Sequence, residues 1–126
     1  MEIEVEEKEG YCTVSPVGEL DVYTVPLFRK VVLKLGGDRR HELIMDLTKL
    51  TFIDSSGLGS LIETYQRVQS AEGQIAFVID NPHILKILKL VGLDEIFPVF
   101  PNLGRALEHV GAAGGYFDEE FFSDLT

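Results

Sequence analysis

The stretch "ELIMDLTKLTFIDSSGLGSLIETYQRV", residues 42–68, decides the fold. Its first residues, "ELIMDL", form a short, almost continuous apolar run, the pattern of a strand buried on both faces. Its second half repeats apolar residues at Leu58, Leu61, Ile62, Tyr65 and Val68, which is the spacing of one helix face. Between them lies "FIDSSGLGS", residues 52–60. A helix start needs one capping residue, and Asp54, Ser55 or Ser56 would serve. This junction holds an acid, two hydroxyls and two glycines. Glycine inside a helix costs about 1 kcal/mol relative to alanine. Gly57 and Gly59 therefore suggest a close approach, by a neighbouring strand or by a partner.

The flanks extend the strand–helix alternation. "EIEVEEKEGYCTVSPVG", residues 2–18, contains two alternating runs around a polar break at Gly10, the signature of an antiparallel hairpin. Ile3 and Val5 share one face, and Tyr11, Thr13 and Ser15 lie opposite Cys12 and Val14. "TVPLFRKVVLKLGG" places apolar residues at 25, 28, 31/32 and 35, which predicts a helix opened by Pro26 and stopped at Gly36-Gly37. "QIAFVID" reads as another buried strand. "NPHILKILKLVG" reads as a helix opened by Asn81-Pro82, with Lys86 and Lys89 outward. "EIFPVFP" is broken by prolines, so it reads as a short edge strand. "NLGRALEHV" starts on Asn102 as a cap and predicts a last short helix.

The expected order is β-β-α-β-α-β-α-β-α, an α/β fold. It implies a mixed, mainly parallel sheet with one antiparallel hairpin strand and about four helices. The domain is expected over residues 1–110. Residues 111–126, "GAAGGYFDEEFFSDLT", form an acidic, aromatic tail after a small-residue joint. Phe117, Phe121 and Phe122 suit a docking segment, and a frayed terminus explains the composition equally well. Removal of residues 114–126 is expected to leave the fold intact.

Parallel crossovers put every strand-to-helix loop at one edge of the sheet, where ligands and partners of such folds meet it. The loops are residues 18–24, 49–57, 80–82 and 100–102. Asp21 should therefore lie near Asp54-Ser55-Ser56.

Composition narrows the function. The 126 residues fit one domain, with 45% hydrophobic and 25% charged residues. The net charge of −10 argues against binding nucleic acid or an anionic membrane, both of which need cations. One cysteine, Cys12, allows no intramolecular disulfide; its apolar run predicts a small buried residue. Three scattered histidines show no metal-ligand spacing. The acidic N-terminus is not a signal peptide, and no segment approaches the ~20 apolar residues of a membrane span. A cytoplasmic, monomeric protein is expected.

Neither a G-x-S-x-G elbow nor a phosphate loop G-x-x-x-x-G-K-[ST] occurs. His41, His83 and His109 have no sequence link to Ser55. "GLGS" lacks the third glycine of a dinucleotide loop. Catalysis is not expected, and no cofactor is called for. A serine at a helix N-terminus suits a phosphate, because free N–H groups and the helix dipole favour an anion there. A phosphoserine at this point would add about −1.5 to −2 charge beside Asp54.

"GELDVYTVPLFRKVV", "IMDLTKLTFIDSSGLGSLIETYQRV" and "LVGLDEIFPVFPNLGRALE" together resemble the bacterial anti-sigma factor antagonists, which are stand-alone STAS domains. The resemblance covers residues 3–110, and D-S-S-G-L-G is its most specific part. It implies that Ser55 is phosphorylated by an anti-sigma factor that is itself a serine kinase, with Ser56 as second choice. It implies that the unphosphorylated form binds that anti-sigma factor and releases a sigma factor. Phosphorylation blocks the binding, and a phosphatase restores it. ATP and Mg²⁺ belong to the kinase. Asp21 matches the aspartate that lies near the acceptor. The switch edge then comprises Asp21, Asp54, Ser55, Ser56, Gly57 and Gly59. The alternative within the resemblance is a STAS subunit of a lipid-transport complex or stress-signalling assembly, acting without a phosphorylation cycle.

Overall fold

The computed structural model describes residues 1–36 and 42–111. The expected Gly37 of the first helix stop, His41, and the tail beyond Gly111 lie outside the described residues. Strands β1 (Glu2–Lys8) and β2 (Tyr11–Leu20) form the antiparallel hairpin, turned at Gly10 with φ +94°. Helix α1 (Val25–Gly36) follows, then β3 (Glu42–Asp46), β4 (Leu50–Ile53), α2 (Ser55–Ser70), β5 (Gln74–Val78) and α3 (Pro82–Leu90). A 3-10 turn (Leu93–Glu95), β6 (Val99–Phe100) and α4 (Leu103–His109) complete the domain. The sheet runs β1-β2-β3-β5-β6, with β4 paired to β2. Every pairing except the hairpin is parallel.

The α/β class, the mixed sheet and the four helices are as expected. Strand β4 is an addition to the expected order, where residues 49–57 read as one strand-to-helix loop. The Asp46 Oδ1 atom accepts the Thr48 amide at 3.0 Å and the Thr48 hydroxyl at 2.7 Å. That side-chain turn ends β3, and the chain soon restarts as β4. β2 serves two parallel partners in succession. Its residues 12–14 pair with β3 and its residues 18–20 pair with β4. The register shifts at Gly18, whose φ of +101° suits glycine, and Gly18 N–H donates to Lys49 O at 3.0 Å.

The central strands are buried on both faces. Leu43, Met45, Ile75 and Phe77 pack with Phe28 of α1, Leu61 of α2 and Ile84 and Leu88 of α3. The alternate residues Ile44, Ala76 and Val78 pack with Ala106 and Val110 at α4. Three helices thus cover one face and α4 covers part of the other. Phe77 and Phe97 stack at 4.2 Å between ring centroids, which closes the core under the α3 corner. Cys12 is half-buried rather than buried, because its strand neighbour on one side is the exposed edge strand β1. Asn81 Oδ1 caps α3 through the His83 amide, and Asn102 Oδ1 caps α4 through the Arg105 amide, both as expected.

Candidate functional site

The C-terminal ends of the parallel strands deliver the loops to one edge. Ile53 is the last residue of β4, and α2 begins two residues later. Asp54 is the N-cap, with φ −110° and ψ −173°. Its Oδ1 accepts the Gly57 amide at 2.9 Å, and its own amide donates to Leu20 O at 3.2 Å. Its Oδ2 accepts the Val22 amide at 3.2 Å. One carboxylate therefore caps a helix and holds the neighbouring loop.

Asp21 lies in that loop. Its Oδ1 accepts the Tyr23 amide at 3.0 Å and the Thr24 amide at 3.1 Å. The Thr24 hydroxyl in turn accepts the Asp21 amide at 2.9 Å and donates to Glu19 O at 2.9 Å. Asp21 and Asp54 are thus brought together across the Val22 amide. Each turns its carboxylate onto backbone donors. Both are half-buried.

Ser55 is the first residue of α2 and is exposed, and Ser56 beside it is half-buried. Neither hydroxyl makes a hydrogen bond within the described residues. Among the described residues, neither His83 nor His109 bonds to Ser55. Among the described residues no group of three or more His, Cys, Asp or Glu side chains lies together as a metal site. Nor is any helix there long and apolar enough to cross a membrane.

The two glycines have different surroundings. A Cβ on Gly57 would overlap the Leu20 carbonyl oxygen and lie 2.7 Å from Ile53 Cγ1. Gly57 therefore lets α2 seat against the β2–β4 pair. A Cβ on Gly59 would meet nothing within 4 Å, so that position is open. Ser60 and Thr64 continue the buried small-residue line from Gly57. The Ser60 hydroxyl donates to Gly57 O at 2.7 Å, and the Thr64 hydroxyl donates to Ser60 O at 2.8 Å. Leu61 is fully buried, and Leu58, Ile62 and Tyr65 are partly buried beside the same core. The apolar spacing alone pointed to Leu58 as the start of the inward face. The spacing of small residues at 57, 60 and 64, which is equally helical, marks the other half of it.

Three further features escaped the sequence reading: the Val22 amide, the Thr24 hydroxyl and the exposed aromatics Tyr23 and Phe52. The Asp-x-x-Thr spacing of residues 21–24 carries a turn signal for the second. Nothing local marks the first.

This fold and this strand-to-helix junction define a STAS domain: the STAS family model matches residues 2–106, and the chain belongs to that family. Within it, the chain belongs with the anti-sigma factor antagonists. It is 32% identical over 108 residues to the anti-sigma F factor antagonist of Paenibacillus polymyxa, covering 85% of this chain and 92% of the relative. It is 26% identical to the anti-sigma-B factor antagonist of Staphylococcus aureus, covering 86% and 98%. Among solved structures it resembles an anti-sigma factor antagonist from Mycobacterium paratuberculosis, with a TM-score of 0.80 and 31% identity over 86% of this chain and 92% of the other.

Proposed function

We propose that this chain is a phosphorylation-switched anti-sigma factor antagonist, with Ser55 as the acceptor. The observation that carries the reading is Ser55 itself. It presents an exposed hydroxyl, without an internal partner, on the first residue of a helix whose cap is already supplied by Asp54. Capping accounts for Asp54 and leaves Ser55 available. Ser56, half-buried, is the second choice.

In its unmodified form the edge of Asp21, Asp54, Ser55, Ser56, Gly57 and Gly59 binds an anti-sigma factor, and a sigma factor is released. The anti-sigma factor is also the serine kinase. It transfers the γ-phosphoryl group of ATP to Ser55 Oγ, the hydroxyl proton leaves, and ADP is released. The product carries about −1.5 to −2 additional charge at a helix N-terminus. The helix end accommodates it, since the first turn has free N–H groups and a favourable dipole. A partner fitted to the bare hydroxyl meets new bulk and charge beside the Asp54 and Asp21 carboxylates. Binding is lost without refolding. A phosphatase hydrolyses the phosphoester and restores the hydroxyl.

On this reading the chain is a substrate and regulator, not an enzyme. It works in the cytoplasm as a monomer, and residues 1–110 form the functional domain. The decisive test is the intact mass after incubation with ATP, Mg²⁺ and the anti-sigma-type kinases of its own source, followed by fragmentation. One phosphate on Ser55 is expected. No phosphate with any such kinase, together with tight binding to a transporter ATPase, would move the chain to the transport branch.

A further inference from the structure

Helix α3 begins at the edge of the sheet that carries Ser55 and runs back to the opposite edge. There the chain turns at Gly92, with φ +81°, into the 3-10 turn. The corner is firmly built. The Val91 amide donates to Ile87 O at 3.3 Å, and the Ile96 and Phe97 amides both donate to Leu93 O, at 3.0 and 2.8 Å. Leu93 and Phe97 are buried beneath it. Yet Leu90 is 75% exposed, Val91 55% and Ile96 54%. Single exposed apolar side chains are ordinary, but three on one corner mark a contact surface. The helix side of the corner is positive. α3 carries Lys86 and Lys89 and no acid, and neither lysine makes an ion pair among the described residues. Asp94 and Glu95 stand on the 3-10 turn, away from that helix.

The segment after Gly111 has the complementary chemistry. "YFDEEFFSDLT", residues 116–126, has Phe121 and Phe122 after the acidic run Asp118-Glu119-Glu120, and no lysine or arginine. It also starts nearby. α4 runs back from β6 as α3 runs back from β5, so both helices end at the same edge of the sheet. Val110, at the end of α4, packs in one cluster with Tyr11, the first residue of β2. The two helix ends lie on opposite faces, separated by two layer spacings of about 10 Å each. Ten extended residues reach about 33 Å, so the stretch from Gly111 to Phe121 is long enough. The path is open too, since β6, with two residues, is the edge strand between them.

We infer that residues 116–126 dock on the α3 corner of their own chain. Phe121 and Phe122 cover Leu90, Val91 and Ile96, and the acids at 118–120 face Lys86 and Lys89. Burial of the two rings supplies the attraction, and the charges set the direction in which the segment lies. The tether keeps the effective concentration high, so a small apolar contact suffices. A second mixed stripe, Leu27, Lys30, Leu33 and Lys34, lies on α1, but α1 joins β2 to β3 and is farther from the β6 edge. The docked corner lies at the sheet edge opposite Ser55, so the inference stands apart from the phosphorylation reading.

The test attaches a nitroxide to Ser123→Cys in the full chain, with Cys12→Ser removing the native thiol. Amide signals of residues 89–97 should lose intensity in an isotope-labelled sample and regain it when the nitroxide is reduced. Leu90→Glu with Ile96→Glu should abolish that loss. Loss centred on residues 27–34, loss centred on residues 20–24 and 53–57, or no loss at all would overturn the inference. A mixture of isotope-labelled chain without nitroxide and nitroxide-bearing chain without isotope should show no loss. Loss in that mixture would assign the corner to a second copy and overturn docking within one chain. A chain that keeps Cys12 gives an independent readout. Phe121→Ser with Phe122→Ser should shift the amide signals of residues 86–97 and leave those of α1 and α2 in place, and unmoved signals at 86–97 would sink the inference.

Discussion

Asp54 Oδ2 accepts the Val22 amide at 3.2 Å, across 32 residues of sequence, while Oδ1 of the same carboxylate caps α2 at Gly57. The two bonds can be separated by mutation. An asparagine side chain has a single acceptor oxygen, so Asp54→Asn keeps the cap or the tie but not both. Asp54→Ser keeps a good cap and is too short for the tie. Both variants should fold, with stability within about 1 kcal/mol of the parent in urea titration. Asp54→Ser should expose the Val22 amide to faster hydrogen exchange, and Asp54→Asn should do so when its one oxygen stays on the Gly57 amide. Asp54→Ala loses cap and tie together and should cost about 1–3 kcal/mol. An unchanged exchange rate at Val22 in the serine variant would contradict the tie.

Gly57 and Gly59 should respond in opposite directions to the same substitution. Gly57→Ala drives a methyl group into the Leu20 carbonyl, which also accepts the Asp54 amide. It should destabilise by about 1–3 kcal/mol. Gly59→Ala adds a methyl in open space inside a helix and should stabilise by up to about 1 kcal/mol. Chemical denaturation of the two variants decides it. A loss of kinase binding by Gly59→Ala, without loss of stability, would mark that position as part of the partner contact.

Ser55→Ala should keep partner affinity and accept no phosphate there. Ser55→Asp should weaken binding, though less than phosphate does, because a carboxylate carries about half the charge. Calorimetric titration of both variants against the kinase measures this. Equal affinity of the aspartate variant and the parent would count against a charge-based switch.

Arg29 Nε and Glu63 Oε1 lie 2.9 Å apart and join α1 to α2. The Arg29 hydrogen bond holds the Glu63 carboxyl below the usual carboxylate range, with Arg67 assisting. A depressed folded value means the stabilisation is present above the unfolded pKa and is lost as pH falls through the folded one. Glu63→Gln should therefore lower stability at neutral pH and make no difference at strongly acid pH. The effect should be small, about 0.2–1 kcal/mol, since both side chains are well exposed. A difference that persists at acid pH would point to packing instead.

Much of this molecule is legible in one dimension because its signals are local. Hairpin, helix spacing, the Asn81 and Asn102 caps and the proline-broken edge strand each depend on a few adjacent residues and backbone sterics. The same holds for the strand-to-helix junction that carries Asp54 and Ser55. Neighbouring residues were therefore enough for the α/β alternation, the edge at which its loops gather and the candidate acceptor.

Other features required the assembled sheet. Residues 50–53 become a strand because β2 changes partner at Gly18, an event nothing within 50–53 specifies. Gly57 faces the Leu20 carbonyl and Gly59 faces open space, although both are glycines in the same helix. Asp54 reaches Val22, and Phe52 comes to lie beside Glu19, only after β2 and β4 lie side by side. Hydrogen bonds and close contacts act over a few ångströms, so a partner 32 residues away is set by strand register rather than by neighbouring sequence.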